Sequence, residues 1–139
     1  MKVVDLVMKE EGFVPHAYKD SLGYLTIGYG RLIDESKGGG ISKDEARMLL
    51  RNDLVEIEEQ LAEKIPWYLE LNGPRRAVLI SMAYQMGVSG LLRFKNTLAA
   101  IQEGDYDRGA RGMMASLWAR QTPGRAKRHA EIMRLGRFG

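Results

Sequence analysis

The sequence predicts an α+β protein, mainly helical and in two lobes, with a small antiparallel sheet in the N-terminal lobe and a long connecting helix. Three observations predict it. Aromatic and β-branched residues alternate roughly between Pro15 and Gly28 around a turn signal. Apolar residues recur at helical spacing from Ala46 to Ile65. From Asn72 to Gly136, helix start and stop signals follow one another.

In chain order, residues 2–11 form a short helix with Val3, Val4, Leu6 and Val7 on its apolar side and Glu10 and Glu11 at its end. Gly12 is the expected left-handed closing residue. A hairpin follows, and Asp20-Ser21-Leu22-Gly23 has the residue preferences of a type I turn. Strand periodicity puts Thr26 on one face with Tyr24 and Gly28, opposite Leu25 and Ile27. The segment ending Gly38-Gly39-Gly40 is a flexible loop, lacking the Gly-Lys-Ser/Thr of a phosphate cradle.

Ser42 and Glu45 are spaced as a capping box, with Ile41 placed for a staple. They open a helix over 43–64, stopped by Pro66 and spanning roughly 33 Å at 1.5 Å per residue. That length exceeds a small lobe, so it reads as the connector. Asn72-Gly73-Pro74 opens a second helix, apolar on nearly every side to Tyr84, and therefore expected at the centre of its lobe. Gly87 and Gly90 are expected to break it. Short helices then carry Leu98 to Ile101, and, behind an Asp105 cap, Met113, Met114, Leu117 and Trp118 turned inward. Thr122-Pro123 starts the last helix, with Ala126, Ile132, Met133 and Leu135 as contacts and Gly136 as its end.

The 139 residues suit one domain able to bury roughly two thirds of its surface. No apolar stretch approaches the roughly 18–20 residues of a membrane span. Asp5 and Lys9 interrupt the initial apolar run, so no signal peptide is expected. There is no cysteine, so disulfides are excluded. Net charge is only +3, but residues 108–139 hold eight Lys/Arg against the single acid Glu131, leaving −4 for the remainder. That skew fits either a solvated basic face or attraction to an anionic surface such as cell wall, lipopolysaccharide or nucleic acid.

Chemistry concentrates between Glu11 and Gly30. A helix-end Glu11, a hairpin Asp20 and a strand Thr26 around one cleft would suit hydrolysis of a glycosidic bond. That reaction needs a protonated carboxyl for the leaving oxygen and an ionised one across the sugar. The plainer reading is a solvated Glu, a turn-opening Asp and a β-favoured Thr. His16 and His129 form no metal-ligand pattern, and no Ser-His-Asp order accompanies a nucleophile elbow.

Three motifs carry a resemblance. Glu11, Tyr18-Lys19-Asp20 and Gly23-Tyr24-Leu25-Thr26-Ile27-Gly28-Tyr29-Gly30 form the first, and Leu79 to Gly87 (LISMAYQMG) the second. Trp118 to Arg128 (WARQTPGRAKR) is the third. In this order they resemble the phage-type lysozymes, the T-even phage endolysin family of glycoside hydrolases, over nearly the whole chain. The resemblance implies a lysozyme-like fold as one domain over 1–139. The smaller lobe would run from about 12 to 60, and helix 2–11 would pack on the helical lobe 65–139.

It further implies Glu11 as general acid, with Asp20 and Thr26 holding the attacking water and Arg125 paired to Glu11. Leu32, Tyr84, Gln85, Thr97 and Trp118 fall where saccharide contacts lie. For Tyr84 and Trp118 the rival reading is plain core aromatics. Gly112 stands in place of a binding asparagine, and Arg31 in place of a histidine that pairs with an aspartate in the type member.

The implied activity is a muramidase cutting the β-1,4 bond between N-acetylmuramic acid and N-acetylglucosamine of peptidoglycan, with inversion and no cofactor. The expected partner is peptidoglycan, with no nucleic acid and no stable membrane insertion, although 108–139 could touch anionic surfaces. A monomer is expected. It would wait in the host cytoplasm for a holin, or act as part of a virion protein. The rivals are a lytic transglycosylase, which needs no water-holding Asp, and a non-catalytic basic wall- or membrane-disrupting module.

Overall fold

The computed structural model describes residues 2–139 and has the predicted α+β composition. Among the described residues, seven α-helices accompany a three-stranded antiparallel sheet near the N-terminus. Contacts divide the chain into two compact units, one reaching Leu49 and the other Leu50–Gly139, so the boundary falls inside the long helix.

In the first unit, α1 (Val3–Glu11) begins where the Asp5 carboxylate accepts the Lys2 N–H at 3.1 Å. Gly12 ends it with the predicted positive φ of 70°, but its ψ of 159° is extended rather than left-handed helical. The chain therefore leaves α1 directly into a strand, a backbone state open almost only to glycine. Strands β1 (Val14–Lys19), β2 (Leu25–Gly28) and β3 (Arg31–Leu32) pair in the order β1-β2-β3. Tyr18 and Leu32 flank Thr26 on either side. The register slips between Val14 and Tyr18, where Pro15 has no N–H to give to the ladder.

Helix α2 (Lys43–Lys64) starts on the predicted capping box. Ser42 N–H donates to Glu45 Oε1 at 2.9 Å, and Glu45 N–H donates to Ser42 Oγ at 3.1 Å. Ile41 stays half exposed. Leu49 and Leu50 face solvent, while Leu61 and the following Ile65 are buried. Pro66 ends the helix and opens a short 3₁₀ turn.

The second unit is built on α3 (Gly73–Leu92), capped by Asn72 Oδ1 accepting the Arg75 N–H at 3.1 Å. Val78, Leu79, Met82 and Ala83 are buried, as its all-round apolar sequence predicts. Gly87, at φ 81° and ψ 155°, breaks it as expected. Gly90 does not: it stays helical, and a Cβ there would come 3.0 Å from Met86 Cγ. Its role is a close approach rather than a break.

Helices α4 (Lys95–Gln102), α5 (Tyr106–Met114), α6 (Leu117–Gln121) and α7 (Pro123–Leu135) complete this unit. Asp105 caps α5 as predicted, accepting the Arg108 N–H at 3.2 Å. Helix α7 packs on α3, α5 and α6, and α4 packs on α5. Leu61, Leu79, Met82, Leu91, Ile101, Met113 and Met133 fill the core. Three expected contacts fail: Met114, Leu117 and Leu135 are exposed. Ser116 restarts the chain as α6 by accepting the Ala119 N–H, so Leu117 and Trp118 leave the α5 face. Trp118 alone of that pair is buried, and Leu135 closes the last turn of α7 at the surface.

Candidate active site

Of the residues singled out above, Glu11, Asp20, Thr26 and Leu32 lie in the first unit, and Tyr84, Gln85, Thr97, Trp118 and Arg125 in the second. Glu11 is the last residue of α1 and is exposed. Its carboxyl rests against Gly30, where a Cβ would fall 2.8 Å from Glu11 Cδ. Phe13 and Tyr29 pack beside this contact, their rings tilted by 41° with centroids 5.5 Å apart. Together they fix the end of α1 on the β2–β3 turn.

Asp20 sits just past β1, in the turn closed by the Gly23 N–H donating to the Asp20 carbonyl at 2.9 Å. Its Oδ1 accepts the Leu22 and Tyr24 N–H groups, both at 2.9 Å. Among the described residues Oδ2 carries no hydrogen bond, so half of the carboxylate holds the turn and half faces outward. Thr26 is 4% exposed and donates its hydroxyl proton to the Tyr24 carbonyl at 3.0 Å. The lone pairs of Thr26 Oγ1 remain available to accept. Asp34, unremarked in the sequence, holds the other edge of this hairpin by accepting the Leu25 N–H at 3.0 Å. The Ser36 hydroxyl, then the Leu25 amide, keep its carboxyl below the ordinary range. The Asp-x-Ser spacing of Asp34 and Ser36 is the readable signal for that turn.

In the second unit, Trp118 is buried and donates Nε1–H to Gln85 Oε1 at 2.8 Å. Phe94 and His129 meet the Trp118 ring edge-on. Trp118 is thus a core aromatic whose one polar atom is tied to Gln85. Tyr84 is half exposed. Arg125 Nη2 donates to the Ser81 carbonyl at 3.2 Å and to Ser81 Oγ at 3.0 Å. His129 Nε2 meets the same hydroxyl at 2.8 Å, while its Nδ1 is buried without a partner. Burial pushes the His129 imidazole below its ordinary pKa of 6.5. The charge of Arg125, then that of Arg128, pushes the same way, against the Arg125 carbonyl. Sequence reading missed Ser81 and His129 as supports of Arg125. The four-residue spacing of Arg125 and His129 on one helix face was the available signal.

A search against known families matches the phage lysozyme model over residues 8–131. The chain belongs to the phage lysozyme family. Among this lysozyme domain's relatives is the pre-baseplate central spike protein Gp5 of Enterobacteria phage T4, 30% identical across 98% of the chain. The chain spans only 28% of that protein. Probable T4-type lysozyme 1 of Dictyostelium discoideum is also 30% identical, over 96% of the chain and 94% of its own length. Peptidoglycan hydrolase gp36 of Pseudomonas phage phiKMV is 28% identical over 84% of the chain and 13% of its own. The phage lysozyme match contains Glu11, Asp20 and Thr26 as well as Trp118 and Arg125.

Proposed function

We propose that this protein hydrolyses peptidoglycan, cutting the β-1,4 bond between N-acetylmuramic acid and N-acetylglucosamine with inversion. The observation carrying this reading is one hairpin that holds a half-engaged Asp20 carboxylate and a Thr26 hydroxyl whose proton is already committed to the Tyr24 carbonyl, the same carbonyl that accepts the Asp20 N–H at 2.8 Å. Two such acceptors can take both protons of one water, turning its oxygen lone pair toward a sugar carbon. Family membership and the lysozyme and hydrolase names of the relatives support the same substrate.

Glu11 gives its proton to the leaving glycosidic oxygen as the C–O bond breaks, and the water oxygen bonds the anomeric carbon from the other face. Asp20 takes the water proton, and exchange with solvent resets both carboxyls. Val14↔Gly28, three residues after Glu11, and Lys19↔Leu25, just before Asp20, lie three β2 residues apart, about 10 Å at 3.4 Å per residue. Inversion asks for carboxyls roughly 6.5–9.5 Å apart, to leave room for a water, and this backbone separation is of the same order. Delivery within a virion protein is favoured as one route to the wall by the similarity to a phage spike protein.

Mass spectrometry of digested murein tests the reaction. Products gaining one water per cut, lost in Glu11→Gln, are expected. Anhydro products would replace hydrolysis by transglycosylation, and undiminished lysis by Glu11→Gln would leave the basic region as the active principle.

A further inference from the structure

Ser81 and Gln85 stand one turn apart on α3, and Arg125 and His129 stand one turn apart on the facing side of α7. Arg125 Nη2 donates to the Ser81 hydroxyl oxygen at 3.0 Å, and His129 Nε2 lies 2.8 Å from the same oxygen. Trp118 of α6 joins the remaining two residues. Its Nε1–H donates to Gln85 Oε1 at 2.8 Å, and its ring meets the His129 ring edge-on with centroids 5.9 Å apart. Gln85 itself is exposed, with its carbonyl committed to Trp118. Its amide N–H groups carry no hydrogen bond among the described residues, so they stand at the surface as donors held in place.

Ser81 Oγ owns one proton and already accepts from Arg125, so His129 decides where that proton goes. Nδ1 of His129 is buried without a hydrogen-bond partner, and the Arg125 carbonyl is the backbone oxygen that favours a proton on the ring. With the ring proton on Nδ1, Nε2 accepts from Ser81. The bonds then run one way, from the Arg125 guanidinium through Ser81 to His129. A second ring proton reverses the last bond. Ser81 Oγ must then accept from two cations at once, and its own proton loses its acceptor. The charged groups acting on the ring are Arg125 and Arg128 of its own helix, while α3 and α6 present the neutral Ser81 and Trp118. No carboxylate acts on the ring to offset a new positive charge.

We propose that neutral His129 is a positioning residue for glycan binding: it fixes Arg125 through Ser81, and its ring fixes the Trp118–Gln85 pair as a saccharide contact. The proposal rests on the peptidoglycan reading above, because the Gln85 donors suit the N-acetyl carbonyl of such a sugar. Protonation of His129 loosens this end of the seam between α3 and α7. Arg75 still ties the other end by donating to the Met133 and Arg134 carbonyls. Affinity for glycan therefore falls with pH while the protein stays folded.

The test is the KM for murein between about pH 7.5 and 5, in the full chain and in His129→Gln and His129→Leu. The wild-type KM is expected to rise about fivefold or more toward the acid end, the scale of one lost hydrogen bond. Its midpoint should coincide with that of the His129 ring measured by NMR. His129→Gln offers a neutral oxygen to the Ser81 proton at every pH, so it keeps part of the affinity and loses the acid rise. His129→Leu offers none, and its KM is high throughout. A wild-type KM that ignores the His129 midpoint, or an acid rise that survives in His129→Gln, would overturn the proposal. So would equal KM values for wild type and His129→Leu at the neutral end.

Absence of hydrolysis at every pH would instead overturn the hydrolase reading, and NMR then decides the role of His129 by itself. Ring nitrogen shifts at neutral pH are expected to put the proton on Nδ1. The Trp118 indole N–H and Arg125 Nε–H signals should move with the His129 midpoint and stay still in His129→Gln. A neutral ring protonated on Nε2, or indole and guanidinium signals that do not follow His129, would overturn the positioning role.

Discussion

Arg31 Nη2 donates to Glu45 Oε1 at 3.1 Å, joining the start of β3 to the first turn of α2. The same nitrogen reaches the Gly40 carbonyl at 3.2 Å, so one guanidinium closes the loop from 33 to 42. Glu45 is already the capping-box acid, and the Ser42 amide and hydroxyl, ahead of Arg31, keep its carboxyl below the ordinary value. Arg31 stands where a histidine was expected from the family pattern. The folded state holds down the Glu45 carboxyl, so the acid sensitivity of this corner belongs to Glu45.

Both partners are partly exposed, so Arg31→Ala is expected to lower the thermal midpoint by only about 1–3 °C. Glu45→Ala should cost more, because it also releases the Ser42 N–H. Because folding depresses the carboxyls of Glu45 and Asp34, their contribution is complete above the unfolded carboxylate values. It is lost as pH falls through the folded ones. Thermal melts between pH 6 and pH 3 should show the Glu45→Ala difference shrinking at the acid end.

Gly30 and Gly28 provide a paired test of Glu11 as the proposed general acid. Both have positive φ, 68° and 69°, so an alanine at either costs about 1–2 kcal/mol in backbone strain. Space around Gly28 is open, whereas a Cβ at Gly30 meets the Glu11 carboxyl. That carboxyl is the end of a flexible side chain and moves aside, so the two variants should melt at similar temperatures. Murein turnover should nonetheless fall about 100-fold in Gly30→Ala and much less in Gly28→Ala. Similar activities would mean that Glu11 needs no fixed position.

What could be read from the sequence was whatever short-range chemistry determines. The Ser42/Glu45 box, the Asn72 and Asp105 caps and the Asp20 turn each depend on residues at most four apart, and all four formed. Motif resemblance identified the right family. Contacts distant in sequence were not readable. Leu117 and Leu135 have the periodicity of core residues, yet which face of a short helix is covered depends on its neighbours. Ser81 and Arg125 are 44 residues apart, and nothing local to either announces their bond. Thr97 resembles a family sugar contact, whereas its burial emerges only from the fold.

Arg75 joins the first turn of α3 to the last turn of α7. Its Nε donates to the Met133 carbonyl at 2.8 Å and its Nη2 to the Arg134 carbonyl at 3.1 Å, while its guanidinium lies 3.5 Å from the Tyr106 ring centroid. Asn72 Nδ2 adds a bond to the Gly136 carbonyl at 2.8 Å. Unpaired carbonyls at a helix end attract cations, and a planar guanidinium satisfies two at once. Arg75→Ala should therefore destabilise by about 2–3 kcal/mol, and Arg75→Lys should recover less than half of that. Urea denaturation measures both, and equal stability of the lysine variant and wild type would show that charge alone suffices.

His129 gives the protein a second, milder acid sensitivity. Its imidazole is half-buried between Ser81 and the Trp118 ring, with Arg125 and Arg128 as charged neighbours, so folding favours the neutral form. A base whose folded pKa is depressed binds fewer protons in the native state than in the unfolded one. Its stabilising contribution is complete above the unfolded value of about 6.5 and declines as pH falls from there toward the folded value. Stability from urea denaturation should thus fall between pH 7 and 5, before the carboxylates respond, and His129→Leu should flatten that slope. NMR titration separates the two histidines, with the His129 ring expected to titrate below 6.5. A His129 midpoint above 6.5, or an unchanged slope in the leucine variant, would assign the loss of stability near pH 6 to other groups.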